Sequence, residues 1–215
     1  MAQTKPKLQG KTRIQAINED IILAAALEVF SAYGYRGSTV DQIAERAQMS
    51  KPNLLYYFRR KEDIYRAVLE KTLADWLMPL RGLDPEGEPL AEIENYVRAK
   101  MTMSRDNPKA SRLFANEMLH GAPAIGDFLS GPMKLLVDDT ADIIKRWIAR
   151  GQIAAIDPYH LIFTIWAMTQ HYADFDIQIR AVLGQDSDHF PDAETTIIRL
   201  IQDGLRPRPQ SATHA

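Results

Sequence analysis

No cysteine occurs in this chain of 215 residues, which excludes disulfides and thiolate metal sites from its chemistry. Long apolar runs are missing too. The most hydrophobic stretch, LIFTIWAMTQHY at 161–172, turns polar well short of the roughly 20 residues that a membrane helix needs. The first residues are polar and basic, with no apolar signal core, so a cytoplasmic protein is expected. Strand-like alternation is absent, and so are GxGxxG and phosphate-loop patterns. The five histidines, at 120, 160, 171, 189 and 214, form no HExxH, and there is no GxSxG. Adjacent carboxylates such as Asp138 and Asp139 point apart on a helix and cannot work as a pair. These absences weigh against an enzyme, and no cofactor or metal is expected.

What is present is ordinary in amount and uneven in placement. Hydrophobic residues make up 46% and charged residues 25%, the proportions of a globular chain with a real core. The net charge of −2 conceals a basic head on an acidic body. Residues 1–66 hold 11 Lys and Arg against 7 Asp and Glu, a balance of +4, which leaves −6 for the remainder. Such a head can meet a polyanion that the body would repel.

The periodicity is helical throughout. Ile14, Ile17, Ile21, Ala25 and Val29 recur at three- and four-residue spacing and predict an inward stripe, with Gly34 placed to end that helix. Thr39 is placed to cap VDQIAERA, and Ser50 to cap the helix after it, where Pro52 is tolerated in the first turn. A long helix is expected over 61–78, ending near Pro79, followed by the linker RGLDPEGEP. Further helices are expected near 89–106, 108–119, 132–150, 158–175 and 192–204, with Pro89, Pro108, Pro132 and Pro158 at their starts. The fold class is therefore all-α. The expected organisation is a disordered basic arm at 1–11, a helix-turn-helix domain at 12–60, an effector-binding and dimerisation domain at 61–205, and a disordered tail at 206–215.

Two short helices joined by AQMS make a helix-turn-helix, whose second helix can enter a major groove. Leu54 and Phe58 lie four apart and are expected to anchor that helix to the core. Lys51, Pro52, Asn53, Leu55 and Tyr56 are left facing outward. Thr39 offers a hydroxyl and an amide to a phosphate at a helix start. Lys51, Tyr56, Tyr57 and Lys61 are further phosphate candidates, though Tyr57 is equally open to simple packing. Asn53 is the best base reader, because a carboxamide matches the major-groove edge of adenine. The arm carries Lys5, Lys7, Lys11 and Arg13, and is open to two uses, a minor-groove contact or a solubilising tail.

This segment resembles the DNA-binding domain of the TetR family of regulators. Thr39, Ile43, Ala44, Ala47, Ser50, Leu54, Tyr56, Phe58, Lys61 and Ile64 match its motif. Gln48 departs from it, since glycine is usual there. A side chain in a left-handed turn costs roughly 1–2 kcal/mol, so strain or a different turn is expected. Leu55 departs as well, where tyrosine is frequent, and an apolar residue there suits a thymine methyl. The resemblance implies a DNA-binding regulator that works as a homodimer on a palindromic double-stranded operator.

Beyond the head, SRDNPKASRLFANEMLHGAP and IDPYHLIFTIWAMTQHYADF are similar to the members of that family that govern pyrimidine utilisation. This similarity implies uracil or thymine as effector. The residues permit it. A flat imide needs an apolar slot and a group that both donates and accepts. Gln170 supplies the second, four residues after Trp166 and on the same helix face. Trp76 and Trp166 are candidate walls, and Lys100 is a candidate donor to a carbonyl. The same tryptophans would also suit a core, and Gln170 would suit a bond across a dimer. A pocket for a drug or a lipid is the alternative effector site. The seam of the dimer is expected along the helices near 158–175 and 192–204.

Overall fold

The computed structural model describes residues 13–207. The arm expected at 1–11, with Lys5, Lys7 and Lys11, lies outside the described residues, and so does all but the start of the 206–215 tail. The chain divides between Val68 and Leu69 into two compact units.

The first unit contains α1 (Arg13–Gly37), α2 (Val40–Arg46), α3 (Lys51–Tyr57) and the beginning of α4 (Lys61–Arg81). Its core is Ile22, Ala25, Ala26, Val29, Phe30, Ile43, Ala44, Ala47, Leu54 and Ile64. The inward stripe of α1 therefore differs from expectation. Ala25 and Val29 are buried, but Ile14, Ile17 and Ile21 are exposed, and Ile22 is fully covered in their place. The segment offers two adjacent apolar stripes, and periodicity alone does not choose between them. Gly34 does break α1, with φ 67° and ψ 173°.

The caps are those the residues suggest. Thr39 and Gln42 form a reciprocal capping box at α2, and Ser50 accepts from the Asn53 amide at α3 with Pro52 in the first turn. Leu54 is fully buried. Phe58 is not on the helix, since α3 ends at Tyr57 and Phe58 is extended at φ −130° and ψ 114°. Gln48 takes the left-handed conformation, φ 56°, so the turn keeps the glycine geometry without the glycine. Replacing Gln48 by Gly relieves that strain but loosens the unfolded chain. The expected net effect is a stabilisation of about 0.5–1 kcal/mol, read as a small rise in the unfolding midpoint of the full-length protein.

The second unit continues α4 and adds α5 (Pro89–Asp106), α6 (Pro108–Leu119), a short α7 (Gly126–Phe128) with a π-helical turn (Leu129–Met133), α8 (Lys134–Ala149), α9 (Pro158–Asp174), α10 (Asp176–Leu183) and α11 (Phe190–Leu205). Pro89, Pro108 and Pro158 open their helices. Two prolines do not act as expected. Pro79 lies inside α4, which continues to Arg81, because Leu77 and Leu80 are buried on either side of it and packing outweighs one lost hydrogen bond. Pro132 lies within the π-helical turn ahead of α8. The helix α10 was not expected. Its sequence lacks an inward stripe: no residue of it is buried, and Ile177 and Val182 are about 80% exposed.

α9 is the centre of this unit and packs against α5, α6, α8, α10 and α11. Trp147 of α8 is fully buried, and its indole N–H donates to the Pro85 carbonyl at 3.0 Å, which pins the linker onto the bundle. Among the described residues no helix is long and apolar enough to cross a membrane.

Candidate DNA-facing helix and effector site

In the first unit the outward side of α3 forms as its spacing requires. Lys51, Pro52 and Asn53 are exposed, Tyr56 is 71% exposed, and Leu55 is half-buried. The Lys51 ammonium pairs with Asp41 at 2.9 Å across the gap between α2 and α3. Both partners are solvated, so the pair is weak and can be exchanged for a stronger anion.

Three more of the predicted contacts already have partners. The Thr39 amide donates to Gln42 Oε1 at 2.8 Å, and the Thr39 hydroxyl accepts from the Gln42 amide at 3.2 Å. The Tyr57 hydroxyl accepts from Asn18 Nδ2 at 2.7 Å, which ties α3 to α1, and its ring meets Tyr56 edge-on at 5.2 Å. Lys61 donates to the carbonyls of Tyr35 at 2.7 Å and Ser38 at 2.8 Å, with its ammonium 4.5 Å from the Tyr35 ring centroid. Lys61 thus closes the end of α1, a role that local spacing does not reveal, and one of its three donors is left for anything else.

The second candidate site lies wholly in the second unit. Lys100 on α5 is 3% exposed, and Trp76 on α4 is 5% exposed. The ammonium lies 4.6 Å from the indole centroid, and Trp76 meets Phe114 of α6 edge-on at 5.5 Å. Burial drives the Lys100 pKa down to about 8, against the opposing pull of Asp174. Lys100 has no hydrogen bond to any described residue, so a desolvated cation rests on a π face with its N–H groups unanswered.

One turn earlier on α5, the buried Tyr96 accepts from the Trp166 indole N–H at 2.6 Å, and burial raises its phenol pKa. Trp166 and Gln170 are half-buried. The two tryptophans therefore sit against different residues, Trp76 under Lys100 and Trp166 under Tyr96, rather than closing directly on one another. Gln170 lies between Trp166 and Asp174 along the α9 stripe.

Ser111 and Tyr96 were not singled out by the sequence as part of this site, and Asp174 was open to a structural as well as a ligand role. Ser111 of α6, fully buried, donates to Asp174 Oδ1 at 2.5 Å. Burial raises the Asp174 pKa, and Ser111, Arg112 and Lys100 oppose it. The signal was available, since Asp174 is four residues beyond Gln170 and Tyr96 four before Lys100. The chemistry of facing stripes becomes visible only when α5 and α9 are known to be neighbours.

Comparison with known proteins agrees with this architecture. Residues 22–68 match the model for bacterial regulatory proteins of the tetR family, and residues 69–208 match the model for the C-terminal region of YcdC-like proteins. The chain is 47% identical over 212 residues to the HTH-type transcriptional regulator RutR of Escherichia coli strain K12, an alignment covering 97% of this chain and 100% of that one. Among solved structures, a transcriptional regulator from Streptomyces coelicolor, SCO4942, superposes with a TM-score of 0.71 at 24% identity, over 89% of this chain and 99% of that one. A fatty acid metabolism regulator from Clostridium perfringens superposes at 0.67 and 24% identity, over 86% and 97%. These two share the fold. The exposed side of α3, the capped turn before it, and the near full-length match to a regulator establish that this chain is a ligand-responsive, DNA-binding transcriptional regulator belonging to the TetR family.

Proposed function

We propose that this regulator senses a free pyrimidine, uracil or thymine, and that the effector releases it from a palindromic operator. The observation that carries the reading is Lys100. A buried ammonium on the face of Trp76, with no hydrogen bond to a described residue, asks for a flat ligand with a carbonyl at its edge. Gln170, also without a hydrogen-bond partner among the described residues, supplies the group that donates and accepts at once. Trp76 and Trp166 bound the slot. The near full-length similarity to RutR, the regulator of pyrimidine utilisation, supports the same ligand.

On the DNA side, Asn53 reads a base edge, and Leu55 lies against a thymine methyl. Lys51, Tyr56, Tyr57, the Thr39 hydroxyl and the remaining donor of Lys61 hold phosphates, with Pro52 at the approach to the groove. Two copies place two heads on half-sites about 34–36 Å apart or a multiple of it. The seam is formed by α9 and α11, with the exposed apolar side of α10 beside them. The effector works by population shift: it binds the form that does not fit DNA more tightly, and the shift is bounded by that difference. Such a protein acts in the cytoplasm, where its operator is.

Titration of operator binding against uracil tests the proposal, with Gln170→Leu as the control. The expected result is release by uracil in the natural protein. In the variant, the expected result is unchanged operator affinity with the response lost. Operator affinity unchanged at saturating uracil, with release by a hydrophobic cation or an acyl chain instead, would overturn it.

A further inference from the structure

We infer that Asp174 is a ligand-reading residue of the effector site. In this reading its carboxylate accepts a ring N–H while Lys100 donates to the adjacent carbonyl, and the site selects cyclic amides with a free N–H. The inference rests on the proposed pyrimidine function and deepens it.

The argument starts from an incomplete pairing. Lys100 and Asp174 lie within electrostatic reach of one another, Lys100 buried and Asp174 half-buried in the α5–α6–α9 packing. Buried opposite charges normally close into a hydrogen-bonded pair, since burial penalises both and only contact compensates. Here they do not close. Lys100 makes no ion pair with a described residue, and its ammonium is held over Trp76 at 4.6 Å. Asp174 is held from the other side, where Ser111 donates to Oδ1 at 2.5 Å. Arg112 donates to the neighbouring Ala173 carbonyl at 3.5 Å. The second carboxylate oxygen, Oδ2, has no hydrogen-bond partner among the described residues.

A fixed donor and a fixed acceptor are therefore held apart, and what bridges them must carry an acceptor beside a donor. A C(=O)–N–H edge has that order. With Gln170, the stripe offers N–H groups from Lys100 and Gln170 and oxygens from Asp174 and Gln170, two donors facing two acceptors. Uracil and thymine carry two carbonyls and two ring N–H groups, the complementary inventory. A site built to receive an N–H rejects the analogue that lacks it more strongly than an apolar slot rejects an extra methyl, because its own acceptor is left buried and unpaired. Selectivity for the N–H is therefore expected to reside in Asp174, with Ser111 as its positioning residue.

The test is calorimetric titration of the full-length protein with uracil, 1-methyluracil and 3-methyluracil. The natural protein is expected to bind uracil and to lose at least about 100-fold for one of the two methylated isomers. Asp174→Asn is expected to bind uracil at least about 30-fold more weakly and to distinguish that isomer from uracil by less than about 3-fold. Ser111→Ala keeps the carboxylate and so keeps the discrimination, while losing about 3- to 10-fold in affinity for uracil. It also carries the test if Asp174→Asn fails to fold, which retention of operator binding would check. Asp174→Asn that binds uracil as the natural protein does would overturn the inference, and so would an equal loss for all three ligands, which marks a merely structural role. In both cases the pyrimidine reading would stand. No binding of uracil by the natural protein would instead remove that reading, and this inference with it.

Discussion

Lys100→Met should yield a protein that is more stable than the natural one without effector and unresponsive to uracil. The stability follows from linkage. Burial holds the Lys100 pKa near 8 against its ordinary 10.5. Below about pH 8 the folded state therefore carries a cation that the unfolded state solvates better. A difference of that size corresponds to roughly 3 kcal/mol. Methionine fills much of the same volume without the charge, and the lost contact with Trp76 returns roughly 1 kcal/mol. A net gain of about 2 kcal/mol at neutral pH is expected, a rise of several degrees in the unfolding midpoint at fixed protein concentration. The sign of the pH dependence is set by the same shift. The unfolded chain binds more protons than the folded one between about pH 8 and 10.5, so the natural protein gains stability as pH rises through that window. The variant lacks this gain, and the two stabilities converge toward pH 10.5. Loss of the response follows from the proposed site, in which Lys100 is the donor to the ligand carbonyl. A variant that unfolds earlier than the natural protein at pH 7 would show instead that Lys100 is a structural element of the α5–α9 contact.

That Lys100 is worth such a test was legible in the sequence, and why it is costly was not. A lysine in the run IENYVRAKMTM reads as an exposed turn of an amphipathic helix unless its neighbours on other helices are known. The legible parts were local. Thr39, Ser50, Pro89, Pro108 and Pro158 mark helix starts because a cap or a missing N–H acts within one turn. At Gln48 either strain or a different turn was expected, and the left-handed turn is kept because the motif around it fixes the backbone. Readings failed where two local solutions were nearly equal and packing chose. α1 has two apolar stripes, and the core took the one with Ile22. Pro79 should end a helix, and buried leucines on both sides carry it through. α10 has no burial of its own, so no inward periodicity could reveal it. The candidate sites divide in the same way. The exposed side of α3 was readable from one helix and its caps, whereas Asp174 and Ser111 belong to a pattern shared by three helices. Lys61 and Tyr57 were read by residue type, and the structure gives each a partner, in Tyr35 and Ser38 and in Asn18, before any DNA arrives.

Asn53 and Lys51 are both exposed on α3 and should fail in opposite ways when replaced. A carboxamide on an adenine edge is worth about 1–3 kcal/mol of discrimination. In the proposed reading a dimer makes that contact twice, so Asn53→Ala should weaken operator binding by about 2–6 kcal/mol, from roughly 30-fold to more than 10,000-fold. Binding to unrelated duplex should hardly change, and neither should its steep fall with salt, because the counterions released are those of phosphates that Asn53 does not touch. Lys51→Ala should act the other way. It removes one phosphate contact per head, weakens operator and unrelated DNA by similar factors, and lowers the slope of log affinity against log salt by about two for the dimer. Its pair with Asp41 does not offset this, since an exposed pair of that kind contributes well under 1 kcal/mol. Salt titrations of both variants on operator and non-operator duplexes separate the two roles. If Asn53→Ala lowered both affinities alike while Lys51→Ala relaxed the choice of sequence, α3 would lie in the groove in a different register, with the lysine on the bases and the asparagine on the backbone.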